Sequence, residues 1–329
     1  MNRNKWTTAV ACLRDLHSKF GAWQLFLLAA LILFSVQRTC AATDFYVDPD
    51  SAPARWALSH PGDPQATRIK EFIADVPMAR WFGNWSGDTR KAVEAFVDAA
   101  DEVHQMPILV TYNIPDRDCG GDSAGGAASA SSYRDWINAL SRGIGGKKAI
   151  VVIEPDSLAQ LGCFKTDERR NTRLDLLHYA VSQLRHNAPA ADIYLDAGNA
   201  HWIAADVMAQ RLHAADISDA KGFSLNVSNF YNTDRSLAYA NAVNVELGKL
   251  FGYRKSVIID TSRNGNGSIG QWCNPAGSKI GIRTGYVSND VLLAWIKAPG
   301  NSDGACGIAP TIRAGVFSPE LANRLIDGR

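Results

Sequence analysis

Asp118, Asp156 and Asp196 each stand just past a short apolar run, in Tyr-Asn-Ile-Pro-Asp-Arg-Asp-Cys, Val-Val-Ile-Glu-Pro-Asp and Ile-Tyr-Leu-Asp-Ala-Gly. A carboxylate where a buried strand opens into a loop is partly desolvated, so its pKa can move into a range useful for proton transfer. Asp156 follows an apolar run and Pro155, the driest setting of the three, which makes it the candidate acid. Asp118, beside Arg117, is placed to supply the negative charge that raises the pKa of Asp156. Each aspartate alone reads equally well as a helix N-cap or a turn residue. Three of them at successive strand ends argue for chemistry.

Tryptophan is the second signal. Trp81, Trp85, Trp202 and Trp272 fall in segments rich in Gly, Asn and Asp rather than on helical core faces. An indole exposed in a cleft offers a flat, partly apolar face that suits the C–H-bearing face of a pyranose. For Trp81 and Trp295 the plainer expectation is packing in a core. Paired carboxylates with aromatic platforms point to hydrolysis of a sugar polymer, with one carboxyl protonated and a second ionised. No H-E-x-x-H, Walker loop, G-x-S-x-G or dinucleotide fingerprint occurs, so no cofactor and no metal are expected.

The elements that must position these residues follow from the apolar pattern. Candidate strands fall at 79–83, 107–113, 149–154, 192–196, 222–227, 256–260 and 291–296. Amphipathic stretches at 88–104, 131–142, 171–186, 203–213 and 235–250 lie between them, with helical faces such as Val93, Phe96, Val97, Ala100. Regular alternation of this kind implies parallel β/α units. The expected fold is an α/β, seven-stranded TIM-like barrel in a single domain, with a doubly wound open sheet as the alternative. In such barrels the loops after the strands carry the site.

The 329 residues are 46% hydrophobic and 20% charged, an ordinary globular balance. The formal charge of +1 misleads, because residues 1–42 hold Arg3, Lys5, Arg14, Lys19 and Arg38 against Asp15 alone. Without them 29 basic and 32 acidic side chains remain, a net of −3. No basic patch asks for nucleic acid. A basic start, the apolar run from Trp23 to Phe34, and Cys40-Ala41-Ala42 read as a secretory signal over 1–42, ahead of a mature domain over 43–329. The apolar run is shorter than the roughly 18 residues a span needs, and an uncleaved anchor is the alternative. The mature chain keeps Cys119, Cys163, Cys273 and Cys306, an even number that in an exported protein argues for two disulfides, with three possible pairings.

The ordered motifs resemble something specific. Tyr112 with Arg117-Asp118-Cys119, Ile153-Glu154-Pro155-Asp156-Ser157-Leu158, Tyr194-Leu195-Asp196-Ala197-Gly198, the run from Asp260 to Gly267, Trp272-Cys273, and Trp295-Ile296-Lys297 with Asp303-Gly304 resemble glycoside hydrolase family 6. The likeness runs from about Phe45 to the C-terminal helix. It implies a distorted, roughly seven-stranded β/α barrel that cleaves β-1,4-glucosidic bonds with inversion. By resemblance the proton donor falls on Asp156, and the aspartate that raises its pKa and helps steer water on Asp118. Tyr112 falls under the distorted sugar. Trp81, Asp196, Trp202, Trp272 and Lys297 match substrate-binding positions, and Arg117, Ser123 and Asn199 are expected to line the cleft with them. Asp303 matches the disputed general base, a role also assigned to a water chain. The implied disulfides are Cys119–Cys163 and Cys273–Cys306. Two departures stand out: Asn199 where members often carry His, and Ala124 where they carry a water-positioning Ser, with Ser123 one place before it.

Loop length speaks to cleft or tunnel. Asp260 to Trp272 is 12 positions and 26 residues follow Asp303, short enough to predict an open cleft and attack within a chain. The expected protein is thus a secreted, monomeric endo-β-1,4-glucanase whose partners are cellulose and soluble β-1,4-glucan chains, with no membrane contact once the leader is removed. The alternatives are an exo-acting cellobiohydrolase of the same family, a retaining barrel glycosidase, a non-catalytic carbohydrate-binding protein, and a metal-dependent hydrolase using the aspartates.

Overall fold

An unbroken apolar run such as Ala149–Ile153 is buried on both faces when it forms a strand, which requires a parallel sheet with side chains packed above and below it. The computed structural model describes residues 44–329; the expected leader over 1–42 lies outside them. Eight strands form one sheet: β1 (Arg80–Phe82), β2 (Ile108–Thr111), β3 (Ala149–Ile153), β4 (Ala191–Asp196), β5 (Gly222–Leu225), β6 (Ser256–Asp260), β7 (Gly285–Ser288) and β8 (Val291–Ala294). Their order is β1-β2-β3-β4-β5-β6-β8-β7. Every neighbouring pair is parallel except β7 with β8.

The expected α/β architecture is present, but the strand count is eight rather than seven. The additional strand, β7, is a short hairpin partner joined to β8 across Asn289-Asp290 and bulged between Tyr286 and Ser288. Its four residues are mostly exposed, so they carry no apolar alternation for a sequence reading to detect.

Period-two alternation shows that the sheet curls. Ile108, Val110, Ile150, Val152, Tyr194, Ile258, Leu292 and Ala294 share one interior cluster. Strands far apart in sheet order, β2 and β8, thus feed one cluster. The intervening residues Leu109, Val151, Ile153, Ile193 and Leu195 face outward into a larger cluster shared with the helices. Between β1 and β8 the ladder shrinks to one bridge, Met78 with Trp295. That seam is packed by Ile69, Ile73, Val76, Met78, Trp295 and Ala322.

The helices follow the alternation: α1 (Ala52–Ser59), α2 (Pro64–Ile69), α3 (Thr89–Glu102), α4 (Ala130–Ile144), α5 (Asp167–Asn187), α6 (Ala205–Ala214), α7 (Thr233–Phe251) and α8 (Pro319–Asp327). α3 starts where the Asp88 carboxylate accepts the Lys91 N–H, and it buries Val93, Phe96, Val97 and Ala100. With helices tied on the outside, the carboxyl ends of the parallel strands are left to carry loops.

Candidate active site

Strand ends dictate where the carboxylates go. Asp196 is the last residue of β4, Asp156 lies just past β3, and Asp118 is reached from β2 through Tyr112–Arg117. All three therefore stand on one rim. Backbone conformation is unusual on this rim. Asp116, Asp118, Cys119, Glu154, Asp156, Asn226, Ser228 and Asn274 have positive φ, against His104 and Asp216 elsewhere among the described non-glycine residues. Such conformations cost of order 1–3 kcal/mol each and persist where the surroundings over-determine them.

Asp156 is half-buried. Burial, then the charges of Asp196 and Asp118, push its carboxyl well above the usual range, against a smaller opposing effect of Lys297. The expected neighbour Asp118 does contribute, but Asp196 contributes more. Asp196 is 1% exposed. Its Oδ1 accepts the N–H of Asp156 at 2.9 Å and of Gly198 at 2.9 Å, and its Oδ2 accepts the Ser224 hydroxyl at 2.9 Å. Burial raises its pKa to about 7 despite those donors.

Asp118 accepts the Ser123 N–H at 2.8 Å on Oδ2 and the Gln160 amide at 3.2 Å on Oδ1. Its loop is stapled to the segment after Asp156 by the Cys119–Cys163 disulfide, and Cys273–Cys306 forms as well. Both pairings implied by the resemblance are present. Tyr112 lies beneath, its ring edge-on to Trp81 at 5.1 Å. Burial first, then Asp156 and Asp118, raise its phenol pKa.

Arg117 is held by the main chain. It is 7% exposed and its N–H groups are spent on main-chain carbonyls: Nε on Ser123 at 2.8 Å, one terminal nitrogen on Tyr112 at 2.7 Å and the other on Ala124 at 3.3 Å. A guanidinium so committed clamps the Asp118 loop while standing in the wall of an open cavity beside Asp116, Cys119 and Ala124. Ser123 serves the same loop through its main chain. Asn199 is buried too, with its Oδ1 accepting the N–H of His201 at 3.0 Å.

Asp303 is 5% exposed at its side chain, paired with Arg263 at 2.8 Å and Lys297 at 3.5 Å. It also accepts the Asn274 N–H at 3.1 Å. Burial would raise its pKa, but Arg263 and then Lys297 outweigh that and hold the carboxyl below the usual range. A carboxylate held this way is a weak base. Lys297 is shifted down by burial, with Asp303 opposing.

The tryptophans divide. Trp85, Trp202 and Trp272 are 55%, 41% and 58% exposed, free of the core and available as platforms. Trp81 is half-buried, with its indole N–H on the Ile296 carbonyl at 2.8 Å. Trp295 is fully buried in the seam. The two disulfide-bearing loops also touch. The Asp122 carboxylate lies within 4.8 Å of the bonded sulfurs of Cys273 and Cys306, and a Cβ on Gly304 would fall 2.5 Å from Asp122 Cγ.

Two buried acids were missed as supports of the rim. Glu154 accepts the N–H groups of Asn113 and Ile114 at 2.9 and 3.0 Å and the Tyr133 hydroxyl at 3.1 Å, tying the β2 and β3 ends to α4. Asp260 accepts the N–H of Ser262, Ser228, Lys297 and Ile296, tying β5, β6 and β8. Val-Ile-Ile-Asp repeats the pattern of Ile-Tyr-Leu-Asp at Asp196, a signal that could have found it.

With this geometry in hand, comparison with known proteins is specific. Residues 40–328 match the family described as glycosyl hydrolases family 6. The chain is 48% identical over 320 residues to endoglucanase 1 of Streptomyces halstedii, covering 96% of this chain and 98% of that one. It is 40% identical over 289 residues to endoglucanase A of Thermobispora bispora, covering 85% of this chain and 61% of that protein's length. Among solved structures it is similar to the endoglucanase Cel6 from Mycobacterium tuberculosis in complex with a methyl cellobiosyl thio-cellobioside. That match has a TM-score of 0.79 and 37% identity, and covers 86% of this chain and 96% of that one.

Proposed function

The chain belongs to glycosyl hydrolases family 6, and from that premise we propose that it is an endo-β-1,4-glucanase acting on cellulose and soluble β-1,4-glucans with inversion at the anomeric carbon. The observation that carries the reading is the Asp156 carboxyl, whose pKa is pushed well up by burial and by the charge of Asp118, with that of Asp196 added as it ionises near pH 7.

In this reading Asp156 gives its proton to the glycosidic oxygen as the bond to the anomeric carbon breaks. A water attacks that carbon from the opposite face and its proton leaves toward Asp118. Tyr112 and Trp81 hold the sugar at the point of cleavage, and Trp202 and Trp272 carry further units. Asp303, a weak base between two cations, fixes Lys297 and the loop after β8 instead of taking a proton. Ser123, whose main chain is bonded to Asp118, is the nearest replacement for the serine absent at Ala124. The two disulfides support a secreted protein with residues 1–42 as its leader, and we take it to act as a monomer.

An exo-acting reading has one observation in its favour, the contact of Asp122 with the Cys273–Cys306 loop, which narrows access for the middle of a chain. One experiment separates these readings. Purified residues 43–329 are given carboxymethylcellulose and cellohexaose beside Asp156→Asn. The endo reading expects viscosity to fall much faster than reducing ends appear, with an α-anomer as first product by proton NMR. Parallel time courses would leave the exo reading standing, and a β-anomer would remove inversion.

A further inference from the structure

We propose that Trp85 is an additional sugar platform, one that extends the row begun by Trp81 and binds a further glucosyl unit of the same β-1,4-glucan chain. The inference rests on the glucanase reading and deepens it.

The ring is seated, not loose. Residues Gly83 to Ser86 form a tight turn in which the Ser86 N–H donates to the Gly83 carbonyl at 3.0 Å and the Gly83 N–H donates to Ser86 Oγ at 3.0 Å. The turn folds the indole back over Gly83 so closely that a Cβ there would lie 2.4 Å from the ring. Beneath the ring is the Arg117 guanidinium, 5.2 Å from its centroid. That same guanidinium is 4.6 Å from the Tyr112 ring, which meets Trp81 edge-on. Trp81, Tyr112, Arg117 and Trp85 thus form one row of successive contacts, in which Arg117 is the chain neighbour of Asp118.

What remains of Trp85 faces outward, 55% exposed. Its indole N–H donates to no protein group among the described residues, which leaves it for a sugar hydroxyl. An aromatic face open to solvent, backed by a cation and fixed by a turn, loses little side-chain entropy when a pyranose stacks on it. Continuity with the row argues for a unit of the bound chain as the occupant.

The plain alternative is that Trp85 only covers Arg117, which clamps the Asp118 loop. Chain length separates the two. Steady-state kinetics of wild type, Trp85→Ala and Trp85→Tyr on cellotetraose, cellopentaose and cellohexaose, with melting temperatures for each, form the test. A platform makes the Trp85→Ala to wild-type KM ratio grow with oligosaccharide length, to about tenfold at cellohexaose. It also lets Trp85→Tyr recover most of the loss. A ratio near one at every length, or an equal fall in kcat at every length without recovery by Tyr, would overturn the proposal. A wild-type protein that cleaves none of the three would instead overturn the glucanase reading.

Discussion

The main-chain N–H of Asp156 donates a 2.9 Å hydrogen bond to the carboxylate of Asp196. One aspartate therefore sets the backbone of the other, and its charge stands first among the nearby charges that raise the Asp156 pKa. Position and protonation of the candidate acid are controlled by the same side chain, through β4, the strand next to the one that carries Asp156.

Asp118 acts on that proton from the other side. Its negative charge raises the Asp156 pKa, so Asp118→Asn should lower it. An acid must be protonated to work, so the alkaline limb of the kcat/KM profile should move to lower pH, along with a loss of about 10²-fold or more in rate. Profiles measured on a soluble glucan check this. A limb that stays in place would mean Asp118 is not coupled to the acid.

Asp196 carries a stability signature. Its pKa is about 7 in the fold against an ordinary 3.8, so between those values the native state holds a proton that the unfolded chain has released. The stabilisation is fully present below about pH 4 and is lost as pH rises through 7, at most about 4 kcal/mol. Thermal melts from pH 4 to 8 should show wild type losing more stability over this window than Asp196→Asn. Parallel curves would contradict the assignment.

The buried pair of Arg263 and Asp303 behaves in the opposite sense. Removing Arg263 leaves Asp303 with the more distant Lys297, at 3.5 Å, and the neutral Asn274 N–H, and breaking a buried pair costs about 3–5 kcal/mol. Arg263→Ala should be destabilised by that order, and Arg263→Ala with Asp303→Asn should be less destabilised than the sum of the two. Because the Asp303 pKa is lowered, the pair's contribution is present above the ordinary carboxylate value and lost as pH falls through the folded one. Urea denaturation of the four proteins at neutral and acidic pH measures the coupling directly.

Much of this was legible in the sequence where the signal is local. The seven parallel strands were marked by apolar runs, and Asp156 and Asp196 by their position just past such runs. Through-space arrangements were not. Arg117 does line a cavity beside Asp118, but nothing in the sequence says that its fork holds carbonyls folded back from Ser123 and Ala124. Glu154 and Asp260 were missed because their partners are main-chain N–H groups of other strands. A sequence does not say which strand ends will be adjacent, or which N–H groups the ladders leave unpaired. The contact of Asp122 with the loop carrying Cys273 and Cys306 was hidden for the same reason: loop length was read, but loop direction is set by the disulfides.

Glu154 gives the sharpest test of that hidden scaffold. Its carboxylate is 0% exposed and accepts two N–H groups from the segment leading to Asp118, along with the Tyr133 hydroxyl. It is thereby a joint between the strand bearing the candidate acid and the strand bearing its partner. Glu154→Leu keeps much of the volume but removes both acceptors, the Oε2 that takes the Asn113 and Ile114 N–H groups and the Oε1 that takes the Tyr133 hydroxyl. A buried donor left unpaired costs about 1–3 kcal/mol, so the variant should melt several degrees lower. If the joint also sets the spacing of Asp118 from Asp156, the alkaline limb of the activity profile should shift as well, because a more distant anion raises the Asp156 pKa less. Loss of stability with an unmoved limb would make Glu154 a support for the fold alone. A shift in both would tie the buried acid to the chemistry above it.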